Sequence, residues 1–538
     1  MRLKRLSLLA SLILALVLVL AACAGDGEPT TAEPEDSAET EGETEGKTEG
    51  GDLVIAIGDD VVSLSTQGSN DTASSNVAEN IYETLTVLDE NQEVQPGLAA
   101  SWEVVDETTW ELTLQEGVTF HDGAELTAEV VKMNYDRLVD EEIASPRAFL
   151  VEAVESVEVV DELTIRINLE YPYAPLLANL AHSGAAIMSP NIIQEDYAQF
   201  EDGGDADSYI NQNPVGTGPF VFESWTPGES VVLTRNDEYW GEPAKLDSVT
   251  FKVVSEQSAR IAELETGVSH VADNIGPNNI SRVEGADGVH VLQEPSVRLD
   301  YVGFNAQKEP FDDVRVRQAI SMAIDKQQII DGVLNGVGLE AVGPLAPPVF
   351  GYDESVSGLE YDPEAAQELL EEAGFSDGFS TTIWTRDSEQ LVDTAVNVQS
   401  QLAEIGIDVE VEELEWGAYL EKTANGEHDM FILGWTTVTS DADYGMYPLF
   451  HSSALGATGN RTFTVDEELD AVLDEARRET DPEVRQELYS EAQEMLVELA
   501  PMLYLNHSEY LLGVNDNVQD LHINAHGLYQ LEQAYIAE

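Results

Sequence analysis

Between residues 434 and 445 the chain reads Gly-Trp-Thr-Thr-Val-Thr-Ser-Asp-Ala-Asp-Tyr-Gly, so Trp435 stands shortly ahead of two carboxylates, Asp441 and Asp443. An indole offers a flat apolar face and a carboxylate an anionic anchor; together they suit a ligand that carries an ammonium group. A buried carboxylate–ammonium pair needs further hydrogen bonds to offset desolvation, and Thr437, Thr439 and Ser440 are the hydroxyls at hand. Trp416, Tyr444 and Tyr447 are further aromatic candidates for the lining of such a site. Taken alone, the stretch also reads as a capped polar loop with solvated carboxylates.

Covalent chemistry is not indicated. The chain has no HExxH, no GxSxG and a single cysteine, so catalytic residues are not expected. Among the 9 histidines, His522 and His526 fall four apart, but Asn524 and Gly527 argue against the helix that would put them on one face. No third ligand accompanies them, so neither a metal nor a cofactor is expected. The glycines at 216 and 218 lack the lysine of a phosphate-binding loop.

The loop follows Met-Phe-Ile-Leu at 430–433, a short apolar run that reads as a buried strand. That places the polar residues at the carboxyl end of a sheet, the edge where open α/β sheets bind ligands. Upstream, a strand at 380–385, a helix at 389–405 and a strand at 407–411 make a βαβ unit with a parallel pair. Apolar residues at helical spacing predict one amphipathic helix over 316–333, and 502–506 reads as a short buried strand. In the first half, 53–58 is a buried strand, 109–114 alternates with period two, Thr127 caps a helix, and 157–169 forms a hairpin. The class is α/β.

At 538 residues, two or three domains are expected. Arg2, Lys4 and Arg5 precede an apolar run to Leu20, and Leu-Ala-Ala-Cys follows at 20–23. This resembles the bacterial lipobox; the resemblance implies a signal peptide over 1–22, removed before Cys23, and lipidation of that residue's sulfur. Residues 23–52 are mostly Glu, Thr, Gly, Asp and Pro, a composition that cannot offset ordering entropy and predicts a disordered acidic tether. No later segment has the ~18 apolar residues needed to span a bilayer.

Several segments, in order, resemble the family 5 extracytoplasmic solute-binding proteins of peptide and nickel ABC transporters. They are Gly-Val-Thr-Phe-His-Asp-Gly at 117–123, Pro-Val-Gly-Thr-Gly-Pro-Phe at 214–220, the run ending in Tyr239-Trp240, Arg260 to Gly267, and Pro310 to Asp325. The resemblance implies a two-lobed periplasmic-binding-protein-like clamp (type II, cluster C) with an extra subdomain on lobe I. Its implied division is 53–298 for lobe I, 299–514 for lobe II and 515–538 for the return to lobe I. Two hinge crossings would lie near 298–305 and 504–514. It further implies a monomer that captures di- to oligopeptides by closing and delivers them to an ABC permease with its cytoplasmic ATPase. Peptide-binding relatives pair the ligand ammonium with an aspartate soon after the Gly-Trp, which here means Asp441, taken first, or Asp443. Arg386, directly after the 380–385 strand, sits near where such relatives hold the ligand carboxylate, and a guanidinium fits a carboxylate bidentately. Nickel chelate, glutathione or an oligosaccharide are alternatives within that fold; a secreted hydrolase or an adhesin would belong to another class.

With 104 Asp+Glu against 24 Lys+Arg the formal net charge is −80, which disfavours nucleic acid or an anionic lipid surface as partner. Self-repulsion of that size is relieved by counterions, which points to a saline habitat. The melting temperature of the purified protein should therefore rise with NaCl concentration. A flat or falling series would remove the salt argument.

Overall fold

The computed structural model describes residues 50–89 and 92–537; Cys23 and most of the acidic segment lie outside the described residues. One sheet of eleven strands runs through both halves of the molecule. At one end are Ile407–Leu414, Phe379–Arg386 and Met430–Thr436, parallel to one another. Then come Val289–Phe304 and Met502–Asn515, and beyond them Val271–Ala272, Asp52–Ile57, Ser248–Val253, Ser230–Arg235 and Phe220–Thr226. The expected βαβ unit is present, with Phe379–Arg386 and Ile407–Leu414 in parallel register around the helix Glu389–Glu404.

Val289–Phe304 and Met502–Asn515 carry the chain from one lobe to the other. They pair antiparallel along nearly their whole length, with a register break between Pro295 and Leu299. Past the break, Arg298 to Phe304 pairs with Met430–Thr436, whereas Gly513 and Val514 pair with Val271–Ala272. Divisions at 298 and 514 therefore fall inside these two strands. The short strand expected at 502–506 is the first third of a 14-residue one.

Each lobe has its own core. Leu53, Phe220, Leu233, Phe251 and Tyr529 are fully buried together in the first, which the C-terminal stretch closes. A separate antiparallel sheet of four strands, Ala99–Asp106, Thr109–Leu114, Thr164–Leu169 and Val154–Val159, supports the subdomain core around Leu112, Ile165 and Leu180. The second lobe buries Phe304, Phe311, Ile320 and Met430 on one side of the sheet and Phe431, Met446, Tyr489 and Leu496 on the other.

Two expectations need correction. The helix predicted over 316–333 is two helices, Val314–Met322 and Lys326–Gly332. Asp325 makes the break: its side chain accepts from Gln328 N at 3.0 Å, and its own N–H donates to Gln401 Oε1 at 2.7 Å. An N-cap in that backbone conformation ends one helix and starts the next. The tether boundary also moves, because Asp52 is the first residue of a strand and Gly51 N donates to Asp247 Oδ2 at 3.0 Å. Among the described residues no helix is long and apolar enough to cross a membrane.

Candidate functional site

The three parallel strands of the second lobe end on the same side, and the residues singled out from sequence follow them there. Arg386 closes Phe379–Arg386; Trp416 opens the helix Trp416–Ala424 just after Ile407–Leu414. The Arg386 guanidinium lies 5.5 Å from the centre of the Trp416 ring, and that ring stacks on Tyr419 at 5.6 Å. Both Arg386 and Trp416 are exposed. Trp435 belongs to a different group. Its ring stacks on Tyr444 at 5.3 Å, and its Nε1 donates to Tyr444 O at 2.9 Å. Tyr444 in turn meets Phe149 of the first lobe at 5.5 Å, so an aromatic row crosses between the lobes.

The connection from strand to helix is held by backbone bonds. Thr437 N donates to Val297 O at 3.1 Å, Phe350 N to Ser440 O at 2.8 Å, and Ala442 N to Phe350 O at 2.9 Å. The guanidinium of Arg298 packs over Gly434, in the space a Cβ there would take. Arg298 reaches that spot from beside the register break and pairs with Asp300 Oδ1 at 2.7 Å.

Asp441 caps the helix Ala442–Phe450, accepting from Asp443 N at 2.9 Å. Both of its oxygens are also taken by Arg485, at 2.6 and 2.7 Å. Arg485 lies on the helix Pro482–Leu499 and is buried with its partner. Burial works against its charge, and Asp441 more than reverses that, holding the guanidinium above its ordinary range. Asp443 is paired in the same manner with Arg477 of the helix Glu467–Arg478, at 2.8 and 3.0 Å. Arg477 lies 3.4 Å from the centre of the Tyr447 ring.

The Asp443 pair also touches the first lobe. Tyr173 Oη donates to Asp443 Oδ2 at 3.3 Å, and Ala174 N donates to Arg477 O at 2.9 Å. Burial and the neighbouring Asp443 carboxylate push the Tyr173 hydroxyl well above its ordinary range, so it stays a donor. Glu152, close by, is raised by burial. Of the expected hydroxyl donors, Ser440 Oγ lies 3.0 Å from His526 Nε2, and Thr439 Oγ1 is buried with no hydrogen-bond partner. His526 is pushed down to about 4 by burial. His522 lies on a two-residue strand and His526 in the turn after it, so the two share no helix face.

The sequence profile described as bacterial extracellular solute-binding proteins, family 5 Middle, matches residues 93–457. The chain belongs to this family. Among the family's curated members, the glutathione-binding protein GsiB of Salmonella typhi is 33% identical over 479 residues, covering 86% of this chain and 91% of the relative. The GsiB of Pectobacterium atrosepticum is 31% identical over 90% of this chain and 94% of its own. Of solved structures, HbpA2 from Haemophilus parasuis superposes with a TM-score of 0.83 at 28% identity, over 90% of this chain and all of that one. DppA from Helicobacter pylori in complex with the peptide STSA gives 0.75 at 30%, over 91% and 99%. The two-lobed clamp implied by the sequence is thus the fold of this family 5 protein. Its relatives are extracytoplasmic substrate-binding components of transporters, not enzymes.

Sequence reasoning missed Arg477, Arg485 and Tyr173. A signal was available: in a chain with 24 cations, two arginines on apolar-faced helices needed a buried partner. Breaking a buried pair by removing one partner costs about 3–5 kcal/mol, whereas replacing both partners with well-packed apolar groups is often near neutral. Asp441→Asn should therefore lower urea-unfolding stability by about that amount, and Asp441→Leu with Arg485→Met should recover most of the loss. Equal losses in the single and double variants would show that the pair is not coupled.

Proposed function

We propose that this chain is the lipid-anchored substrate-binding component of an ABC importer, capturing a peptide or a peptide-like tripeptide such as glutathione. The carrying observation is the aromatic row Trp435–Tyr444–Phe149, which joins the two lobes beside the hinge strands. A ligand held there contacts both lobes, so its binding free energy favours the closed state. The peptide class is supported by relatives that bind glutathione and by the DppA structure in complex with the peptide STSA. Release to the permease follows from reopening, and Cys23 anchors the protein to the outer face of the membrane.

Within this reading, ammonium capture falls to Asp443. Both carboxylates carry an arginine, but Asp443 stands where Tyr173 of the first lobe reaches it. A carboxylate has about four acceptor sites, and Asp443 spends three on Arg477 and Tyr173, leaving one for the ligand. Asp441 keeps the loop in place through Arg485. Thr437, Trp435 and Tyr444 line the seat, and Arg386 with Trp416 takes the far end of an extended ligand at the same sheet edge.

A differential scanning fluorimetry panel of di- to nonapeptides, glutathione, nickel–histidine and cello-oligosaccharides should show stabilisation by peptides or glutathione. Asp443→Asn should weaken a free-amine ligand by roughly 10- to 100-fold while affecting an N-acetylated one less. Stabilisation by the nickel chelate or an oligosaccharide alone would overturn the peptide reading.

A further inference from the structure

A histidine of the first lobe reaches the connection that precedes Asp441. The strands His522–Ile523 and Tyr529–Gln530 form a small antiparallel hairpin. Its base belongs to the first lobe: Tyr529 is buried there beside Phe251, and its N–H donates to Asn76 Oδ1 at 2.9 Å. Its turn meets the second lobe. Asn524 Oδ1 accepts from His526 N and Leu528 N, both at 3.0 Å, which fixes the turn. Ala525 packs into the second-lobe core, and its carbonyl accepts from Val297 N at 3.0 Å. His526 Nε2 then lies 3.0 Å from Ser440 Oγ, and Thr437 O also faces the ring.

The residue it touches is one that has to be held. Ser440 has a φ of 52°, in the left-handed region that residues other than glycine seldom adopt. Its N–H donates to Thr437 O at 2.9 Å and its carbonyl accepts from Phe350 N at 2.8 Å, both within the second lobe. Its hydroxyl is held from the first lobe, by His526. Asp441 follows directly as N-cap of Ala442–Phe450, so the conformation of Ser440 sets where that helix starts, and with it the places of Asp443 and Tyr444.

Nothing around the ring favours a charge on it. No described carboxylate pairs with His526 within 4.0 Å. Asp441 is spent on Arg485 and Asp443 on Arg477. From the subdomain the ring meets the field of His182, which itself lies 3.3 Å from Arg147 Nη1. Asp71 and Tyr444 act on that arginine. Burial holds both histidine rings neutral.

We infer that His526 is a positioning residue for ligand capture: a first-lobe side chain that pins Ser440 in the closed clamp while neutral, and lets the lobes part when it takes up a proton. The role rests on the clamp of the proposed function, not on which ligand the clamp holds. Opening lifts the hairpin turn off Ser440 and returns the ring to water, so the open state binds the proton more readily. Closure keeps its full advantage above the ordinary histidine value of about 6.5 and loses it as the pH falls toward about 4. Glu152, raised by burial, shifts the balance the other way, so the response is read against a variant.

Calorimetry with glutathione and with the peptide STSA as probes, at about pH 7.5 and about pH 5, tests the role as a ratio of affinities. Wild-type affinity should fall by roughly 30-fold between the two. Most of that fall should be absent in His526→Gln, whose amide still reaches Ser440 but takes up no proton; His526→Asn covers the case in which the Gln variant does not fold. Equal falls in wild type and variant, or no fall in the wild type, would overturn the role. If neither probe binds at either pH, spin labels at Val104 and Val396, in opposite lobes, carry the test without a ligand. Distances that lengthen in acid in the wild type but not in His526→Gln keep the role while the peptide reading falls. The same pH response in both proteins removes the role.

Discussion

Two buried carboxylate–guanidinium pairs, Asp441 with Arg485 and Asp443 with Arg477, hold the connection at the end of the strand Met430–Thr436 in shape. The loop between Met430–Thr436 and Ala442–Phe450 has little apolar content of its own to bury. It is kept in place by backbone bonds to Val297 and Phe350, and because Asp441 at its end and Asp443 in the first turn of the helix are clamped by arginines from two helices that cover the lobe. Desolvating such charges is costly, so their arrangement is better understood as fixing a geometry than as adding stability. With the loop fixed, Trp435 and Tyr444 stack in one orientation and present a flat wall to the opposite lobe.

The same pairs set the electrostatics of the junction. A chain of net charge −80 repels anions at long range, and salt screens that repulsion within about 8–10 Å at moderate ionic strength. The two lobes are joined by two paired strands that carry a register break between Pro295 and Leu299.

The strands and the βαβ unit were legible because local patterning and burial agree there, as at Trp110, Leu112 and Leu114, all inward. The family was legible from ordered segments rather than from any one motif. The site was legible in part. Trp435 and the two aspartates stand out as residue types, but the aspartates' partners come from helices 34 and 44 positions further on, read only as cover. Periodicity reports which face of a helix is buried, and it is silent on whether a charge rides on that face. The break at Asp325 escaped for a related reason: the capping role of an aspartate competes with the helical run around it, and Gln401 decides the contest from another element.

The central claim is that the Asp443–Arg477–Tyr173 contact and a ligand at the Trp435–Tyr444 wall together close the clamp. Spin labels at Val104 and Val396, both exposed and in opposite lobes, would report the interlobe distance by pulsed electron resonance. In the wild-type protein, saturating glutathione or peptide should shorten and narrow the distribution, and Asp443→Asn should shift it toward the longer, open distances. A distribution unchanged by ligand and by the Asp443 substitution would contradict the account.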